Sequence, residues 1–250
     1  MADLTAITPD RCAALVTPQI ERLTFAVIRA SIKRAGPQLM TYGVAIDALD
    51  IVGQLRTGLA ARPVSAAGLA AVYRYRDADE FRRNLDALAS AGIIEQGNDG
   101  AIRATDTGRA LLAVMYGAGA EAAAELWSGH RETVARLNEL AGRLVAAAAA
   151  ASGGDAYAAI APPYEPPGAS PELLLHHRLA VLRYHRADAH AAAWRAAGHT
   201  VDTIRGLADG PERERIEAET NRRAGLPYGT LSAAERSRLV SSLTGLPGEP

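Results

Sequence analysis

The stretch that decides the fold is LDALASAGIIEQGNDGAIRATDTGRALL, residues 85–112. Two short runs, IIEQ and AIRAT, flank GNDG, a sequence typical of a tight turn between antiparallel strands. Gly92 stands where the preceding helix is expected to end, and TDTG predicts a new helix that starts at Asp106 or Thr107. The stretch therefore predicts a helix, a two-stranded hairpin and a second helix, in that order.

Helices are also predicted on the N-terminal side of this stretch. Asp77 and Glu80 have capping-box spacing, which predicts that a helix with an apolar face begins there. Ser65 is placed to cap a shorter helix before it. Apolar residues at helical spacing predict two further helices, at about 9–34 and 42–60, and Gly36-Pro37 is expected to end the first. The fold class is thus predicted to be mainly α, with a small two-strand wing flanked by long helices.

Composition places the chain among soluble intracellular proteins. Hydrophobic residues make up 48% and charged residues 22% of the chain, which is ordinary for a globular protein. The single cysteine, Cys12, forms no internal disulfide and suits a reducing compartment. We find neither a signal peptide nor an apolar run long enough to span a bilayer, so we expect a cytoplasmic protein with no membrane partner.

A proline-rich segment is expected to divide the chain. Residues 152–170, SGGDAYAAIAPPYEPPGAS, contain two prolines together and then a Glu-Pro-Pro. Because proline fixes φ and lacks a backbone donor, we expect an extended linker with no helix in it. This predicts a helical N-terminal part, residues 1–151, which contains the wing, and a helical C-terminal part, residues 171–250.

The order of helices and strands resembles a MarR-like winged helix-turn-helix domain over residues 64–112, within a module of about 42–115. The resemblance implies that the helix starting at Asp77 enters the major groove of double-stranded DNA. Arginine and asparagine read base edges and contact phosphates. The expected DNA-binding residues are Arg74, Arg76, Arg82, Arg83, Asn84 and Arg103.

Two observations leave alternatives to DNA binding open. The leading turn of that helix carries the acids Asp77, Asp79 and Glu80, and the surrounding charge is nearly balanced, whereas DNA affinity depends on neutralising phosphates. Small-molecule O-methyltransferases carry a similar module for dimerisation, but no Gly-rich dinucleotide-binding sequence follows residue 113 here. A winged helix kept for ligand binding or dimerisation therefore remains an alternative.

The segment in which titratable side chains are most concentrated is LAVLRYHRADAHAAAW, residues 179–194. It lies in a helix predicted to start after the N-cap residue Ser170 and to stop at Gly198. His185 and Asp188 are one turn apart, so the carboxylate can orient the imidazole as a general base or as a buried structural contact. On a helix, polar and aromatic residues of this segment fall along two stripes beside an apolar one. These stripes predict a ligand-binding site lined by His177, Arg183, Tyr184, His185, Asp188, His190 and Trp194.

No metal or cofactor site is predicted in this segment. His190 points away from His185 and Asp188 on a helix, and His177 is two turns from His185, too far for one zinc ion. No nucleophile with a supporting motif lies nearby, so no catalytic residue is assigned.

A second resemblance covers residues 173–197 and 216–231. LLHHRLAVLRYHRADAHAAAW and ERIEAETNRRAGLPYGTL are similar to lines of an uncharacterised actinobacterial helix-turn-helix family with an HRxDxH helix. The matching positions include His185, Arg186, Asp188, His190 and Thr220. The resemblance implies no known catalytic activity, which argues against an enzyme.

Two functions are expected from these patterns. The first is a DNA-binding transcriptional regulator of winged-helix type, ligand-responsive and homodimeric. The alternative is a small-molecule binding protein or enzyme of secondary metabolism that uses the winged helix as a scaffold and a pocket around His185 and Asp188.

Overall fold

The computed structural model describes residues 6–151 and 154–248. These residues form eleven α-helices, two short 3₁₀ turns and one two-stranded antiparallel sheet. The predicted mainly α fold with a small two-stranded sheet between long helices is confirmed. The elements are α1 Pro9–Leu39, α2 Ile46–Leu59, α3 Ala66–Val72, α4 Ala78–Ser90, β1 Ile94–Gln96, β2 Ile102–Ala104, α5 Asp106–Leu126, α6 Arg131–Ala150, α7 Asp155–Ile160, α8 Pro171–Ala196, α9 Val201–Arg205, α10 Pro211–Ala224 and α11 Ala233–Gly245.

Helices α2 to α4 and the two strands, residues 46–104, form what we call the hairpin unit. The Asp77 carboxylate accepts a hydrogen bond from the Glu80 backbone N–H and caps α4, as predicted. Gly92 follows α4 at φ +65°, a left-handed conformation that favours glycine. Strands β1 and β2 pair with Ile94 opposite Ala104, and Val64, ahead of α3, forms a further antiparallel bridge to Ile102. The hairpin is therefore joined to the chain segment that precedes α3.

Two predictions about helix limits are wrong. Helix α1 continues through Gly36-Pro37 to Leu39, because Ala35 and Leu39 pack into the core and hold the last turn in place. The 152–170 segment is not wholly extended: residues 155–160 form helix α7. The sequence DAYAAI contains neither proline nor glycine, and the prolines that prevent a helix begin only at Pro162.

Helix α8 lies at the centre of the molecule. It packs against α1, α5, α6, α7 and α10. Val181 and Tyr184 belong to a core shared with the hairpin unit, whereas Leu175 and Leu179 belong to a second core with α1, α6 and α11. Residues on either side of the 152–170 segment therefore contribute to the same cores. Because neighbours surround α8, its four histidines are buried or half-buried, as are its leucine and valine residues.

No helix within residues 6–151 and 154–248 combines the length and the apolar character that crossing a membrane requires.

Candidate functional site

A half-enclosed cavity of about 340 Å³ lies between α1, α2, α5 and the first turns of α8. Its walls are mostly aliphatic, and the side chains that define them are Ile28, Ile32, Leu39, Leu49, Met115 and Leu173. A volume in this range is typical of a small-molecule site. The cavity also has a polar end, which we call the polar cluster: Arg56 from α2 with His176 and His177 from α8.

Arg56 is a buried arginine without an acidic partner. Arg56 is 9% exposed to solvent. Nη1 donates to the Gly53 carbonyl oxygen at 2.6 Å, and Nη2 donates to His176 Nε2 at 2.7 Å. No carboxylate of the described residues lies within ion-pair distance of its guanidinium. Burial lowers the pKa of Arg56, but a guanidinium stays charged in a protein, so the polar end of the cavity holds a positive charge with no directly paired carboxylate among the described residues.

The hydrogen bonds of the two histidines fix their tautomers. Arginine can only donate, so His176 Nε2 is the acceptor and the ring proton is on Nδ1. His177 Nδ1 lies 3.1 Å from the Tyr164 carbonyl oxygen, which can only accept, so its proton is on Nδ1 as well. His176 Nδ1 and His177 Nε2 are buried and have no partner within the described part of the chain. The polar cluster thus has a free donor and a free acceptor.

Both rings are neutral in this environment. Burial is the main reason that the pKa of His176 lies well below its ordinary value, and the Arg56 charge adds to the effect. Burial, again with Arg56, lowers the pKa of His177 to about 3. Arg56 is therefore the one charged group of the polar cluster at neutral pH.

A chain of polar contacts connects the cavity to the start of α4. Gln54 and Asp50 line the cavity. The Tyr184 hydroxyl donates to Gln54 Oε1 at 2.7 Å, and Gln54 Nε2 donates to Asp50 Oδ1 at 3.2 Å. Asp50 Oδ2 accepts from Arg76 Nη2 at 2.9 Å, immediately before the Asp77 cap of α4. Gln54 and Asp50 thus link the cavity wall to Arg76, the residue that precedes the Asp77 cap of α4.

The predicted ligand-binding residues are not gathered around one cavity. His177 lines the cavity described above, and Tyr184 is bonded to Gln54 behind it. The Arg183 guanidinium lies 4.6 Å from the centre of the Phe25 ring. Trp194 Nε1 donates to the Tyr75 hydroxyl at 3.0 Å. A cavity beside Arg183 and His185 measures about 20 Å³, which is room for about one water molecule.

The expected His185–Asp188 pair does not form. Asp188 Oδ1 accepts from the Arg74 guanidinium, and Oδ2 accepts from the Tyr157 backbone N–H at 2.8 Å. The His185 ring instead stands edge-on to the Tyr157 ring, with 5.9 Å between the ring centres. Burial lowers the pKa of His185, and Asp188 opposes this shift only in part. Asp188 therefore connects α7 and α8 to the segment that follows α3, so its role here is structural.

Arg74, one of the predicted DNA-binding residues, is buried. Its side chain is 6% exposed and donates to Asp188 and to the Ala187 carbonyl oxygen, the latter at 3.2 Å. Because its donors are engaged in this buried ion pair, Arg74 is not exposed for the predicted contact with DNA in this structure. Gly154 has a related role: a Cβ there would lie 2.6 Å from Asp188 Cγ, so only glycine leaves room for the carboxylate.

The other predicted DNA-binding residues lie at or near the surface of the hairpin unit. Arg82 and Arg83 are exposed on α4, and Asn84 beside them is half-buried. Arg82 pairs with Asp79 at 3.1 Å in an exposed contact, and Arg103 is exposed on β2. Arg76 is half-exposed and paired with Asp50, as described above.

The two segments that resemble the actinobacterial family, residues 173–197 and 216–231, contact each other where α8 packs against α10. The Arg186 guanidinium donates to Asn221 Oδ1 at 2.8 Å and pairs with Glu217. His190 Nδ1 donates to Thr220 Oγ1, 3.2 Å away, since the Thr220 hydroxyl donates to the Ile216 carbonyl oxygen. These contacts give the polar residues of both lines a structural role.

Sequence reasoning missed Arg56 and did not include His176 in the ligand-binding set. Arg56 stands in the run IVGQLRTGL next to Leu55, where a charge interrupts an apolar helix face. That interruption was a usable signal. The pairing with His176 had no such signal, because 120 positions separate the two residues.

Comparison with known proteins gives no match: no family model, no curated protein and no solved structure is significantly similar to this chain.

Proposed function

We propose that the protein is a DNA-binding transcriptional regulator of winged-helix type that responds to a small-molecule ligand. The observation that carries the proposal is that α4 presents Arg82 and Arg83 to solvent and that Arg103 is exposed on strand β2 of the hairpin that follows α4. Arginines on a helix and on an adjacent hairpin suit base contacts and phosphate contacts, respectively.

The acids of α4 do not prevent this function. The Asp77 carboxylate accepts a hydrogen bond from the Glu80 backbone N–H, so its negative charge serves to cap the helix. The Arg82–Asp79 pair has both side chains at least 70% exposed, so it contributes little to stability and a phosphate can replace the carboxylate. Two of the acidic charges thus have a local role that is compatible with DNA binding.

The contacts between the cavity and α4 support a ligand response. Asp50 lies near the Arg56 charge and also holds Arg76 ahead of α4. An anionic occupant at Arg56 would repel Asp50 and loosen its contacts with Gln54 and Arg76. We therefore expect an anionic ligand to lower DNA affinity, because it favours a different position of α4.

The second candidate is a small-molecule binding protein, or an enzyme of secondary metabolism, in which the hairpin unit is a scaffold. The buried polar cluster favours it, since a buried charged group without a directly paired partner in a mostly apolar cavity is typical of a binding site. DNA binding distinguishes the two candidates.

A homodimer in the cytoplasm completes the proposal. Long helices on both sides of the hairpin unit and apolar surface residues such as Phe25 and Leu226 suit an interface between two copies. Sedimentation equilibrium measures the oligomeric state directly.

DNA binding is tested by fluorescence anisotropy with the upstream DNA of the protein's own gene and a scrambled duplex, at about 50 and about 200 mM salt. We expect selective, salt-sensitive binding that the double variant Arg82→Ala/Arg83→Ala weakens about tenfold or more. The control is Arg131→Ala/Arg136→Ala, which removes two exposed arginines of α6. Equal affinity for both duplexes, or equal losses in both variants, would contradict the proposal and favour the scaffold alternative.

A further inference from the structure

We infer that the cavity binds an aliphatic monocarboxylate, with its carboxylate at Arg56 and His176 and its chain along the apolar walls. An aliphatic monocarboxylate would be the small-molecule ligand of the proposed function. Because binding itself requires no DNA, it can be measured, and can fail, independently of DNA recognition.

The positive charge of Arg56 favours an anionic ligand. The structure gives this guanidinium two hydrogen bonds, to Gly53 and His176, out of the five N–H groups it has. A carboxylate matches the planar guanidinium in geometry and in charge. The His176 Nδ1–H, which is buried and has no partner in the described chain, offers the same ligand a further donor.

The polar cluster matches a ligand with one negative charge. Arg56 is the one cation of the polar cluster, since both histidines are neutral. Asp47 and Asp50 also line the cavity and repel further negative charge. A phosphate ester would bring up to two negative charges, so a single carboxylate is the better match.

The walls of the remaining cavity suit an aliphatic chain. None of the lining residues in the described chain is Phe, Tyr or Trp, so the walls provide no phenyl or indole ring for stacking. They are formed by Ile, Leu and Met side chains, which pack against a flexible hydrocarbon chain. At the mouth, Ile32, Met40 and Ile46 are 44%, 55% and 58% exposed, so a chain longer than the cavity would remain in contact with apolar surface.

The test is titration calorimetry of the full chain with decanoate and with decan-1-ol, in the absence of DNA. We expect one decanoate per chain, bound about tenfold or more tightly than the alcohol, because only the carboxylate pairs with Arg56. Arg56→Met is expected to remove this preference and to leave binding of the alcohol nearly unchanged.

A second variant tests the cavity without altering its charge. Gly53 lines the cavity, and a Cβ there would meet no atom within 4 Å, so Gly53→Leu adds volume without a collision at Cβ. The matched control is Gly117→Leu on α5, which is exposed, equally free of contacts and outside the cavity lining. We expect Gly53→Leu to abolish decanoate binding and Gly117→Leu to leave it unchanged.

The result that would overturn the inference is absent binding to the unaltered protein, or decanoate affinity that survives either Arg56→Met or Gly53→Leu. Circular dichroism of each variant establishes that it is folded before the titration. If Arg56→Met fails to fold, the Gly53→Leu and Gly117→Leu pair decides the outcome.

Discussion

The double variant Arg56→Met/His176→Leu is expected to be more stable than the natural protein in the absence of ligand. Arg56 is charged, 9% exposed and unpaired with any carboxylate of the described residues, so the folded state bears its desolvation cost. Replacing buried charged groups by apolar residues of similar volume is often neutral or stabilising, by about 1–4 kcal/mol. The increase in the free energy of unfolding of the double variant equals the stability that the polar cluster costs the natural protein.

The single variants separate the contributions. Arg56→Met alone leaves His176 Nε2 buried without its donor, which costs about 1–3 kcal/mol and offsets much of the gain. His176→Leu alone leaves the guanidinium with one hydrogen bond fewer and is expected to be the least stable of the three. The two substitutions are therefore strongly non-additive, and a double-mutant cycle measures the coupling between them.

Urea unfolding of the ligand-free protein measures these differences. An unchanged m value with a raised midpoint for the double variant would identify a gain in stability and not a change in compactness. A double variant that is less stable than the natural protein by about 1 kcal/mol or more would refute the reasoning, because it would show that the polar cluster supports the fold and is not kept for a ligand.

Three further predictions concern buried groups outside this pair. Asp188→Asn is expected to destabilise the protein by about 3 kcal/mol, since it leaves the buried Arg74 guanidinium without its carboxylate; urea unfolding would show no such loss if the pair were only a surface contact. Gly154→Ala is expected to lower the melting temperature because its Cβ would collide with Asp188, and an unchanged melting temperature would contradict this account of α7. The third prediction concerns His177, whose folded-state pKa of about 3 lies below the ordinary value of 6.5. Between these two values the unfolded chain binds more protons than the folded one, so the free energy of unfolding decreases as pH falls. The contribution of this group is fully present above pH 6.5 and is lost towards pH 3, by about 1.4 kcal/mol per pH unit. Urea midpoints at pH 7.5, 6 and 5 check this slope, which should decrease in His177→Leu and persist in the control His130→Leu.

The features that were predictable from sequence are those that neighbouring residues determine. Asp77 and Ser65 cap α4 and α3 through backbone N–H groups three positions away, and the turn between the strands is likewise local. A signal of this kind is complete within a few residues, so tertiary packing does not need to be known. The same reasoning gave Ser170 as the cap of α8.

The candidate site was not predictable in the same way. Periodicity identified one apolar stripe on α8 and assigned the histidine stripes to a ligand pocket, but it cannot show how many neighbours a helix has. Five helices surround α8, so His185 is buried against Tyr157, and Asp188 meets Arg74 from 114 positions away. The cavity itself exists only where α1, α2, α5 and α8 come together.

The most direct test of the central claim is a titration of decanoate into the complex of the protein with its own upstream DNA, followed by anisotropy. The account predicts that decanoate lowers DNA affinity in the natural protein and in Gly117→Leu, and leaves it unchanged in Gly53→Leu. DNA affinity that does not respond to decanoate, or that falls equally in Gly53→Leu, would contradict the claim that the cavity controls α4.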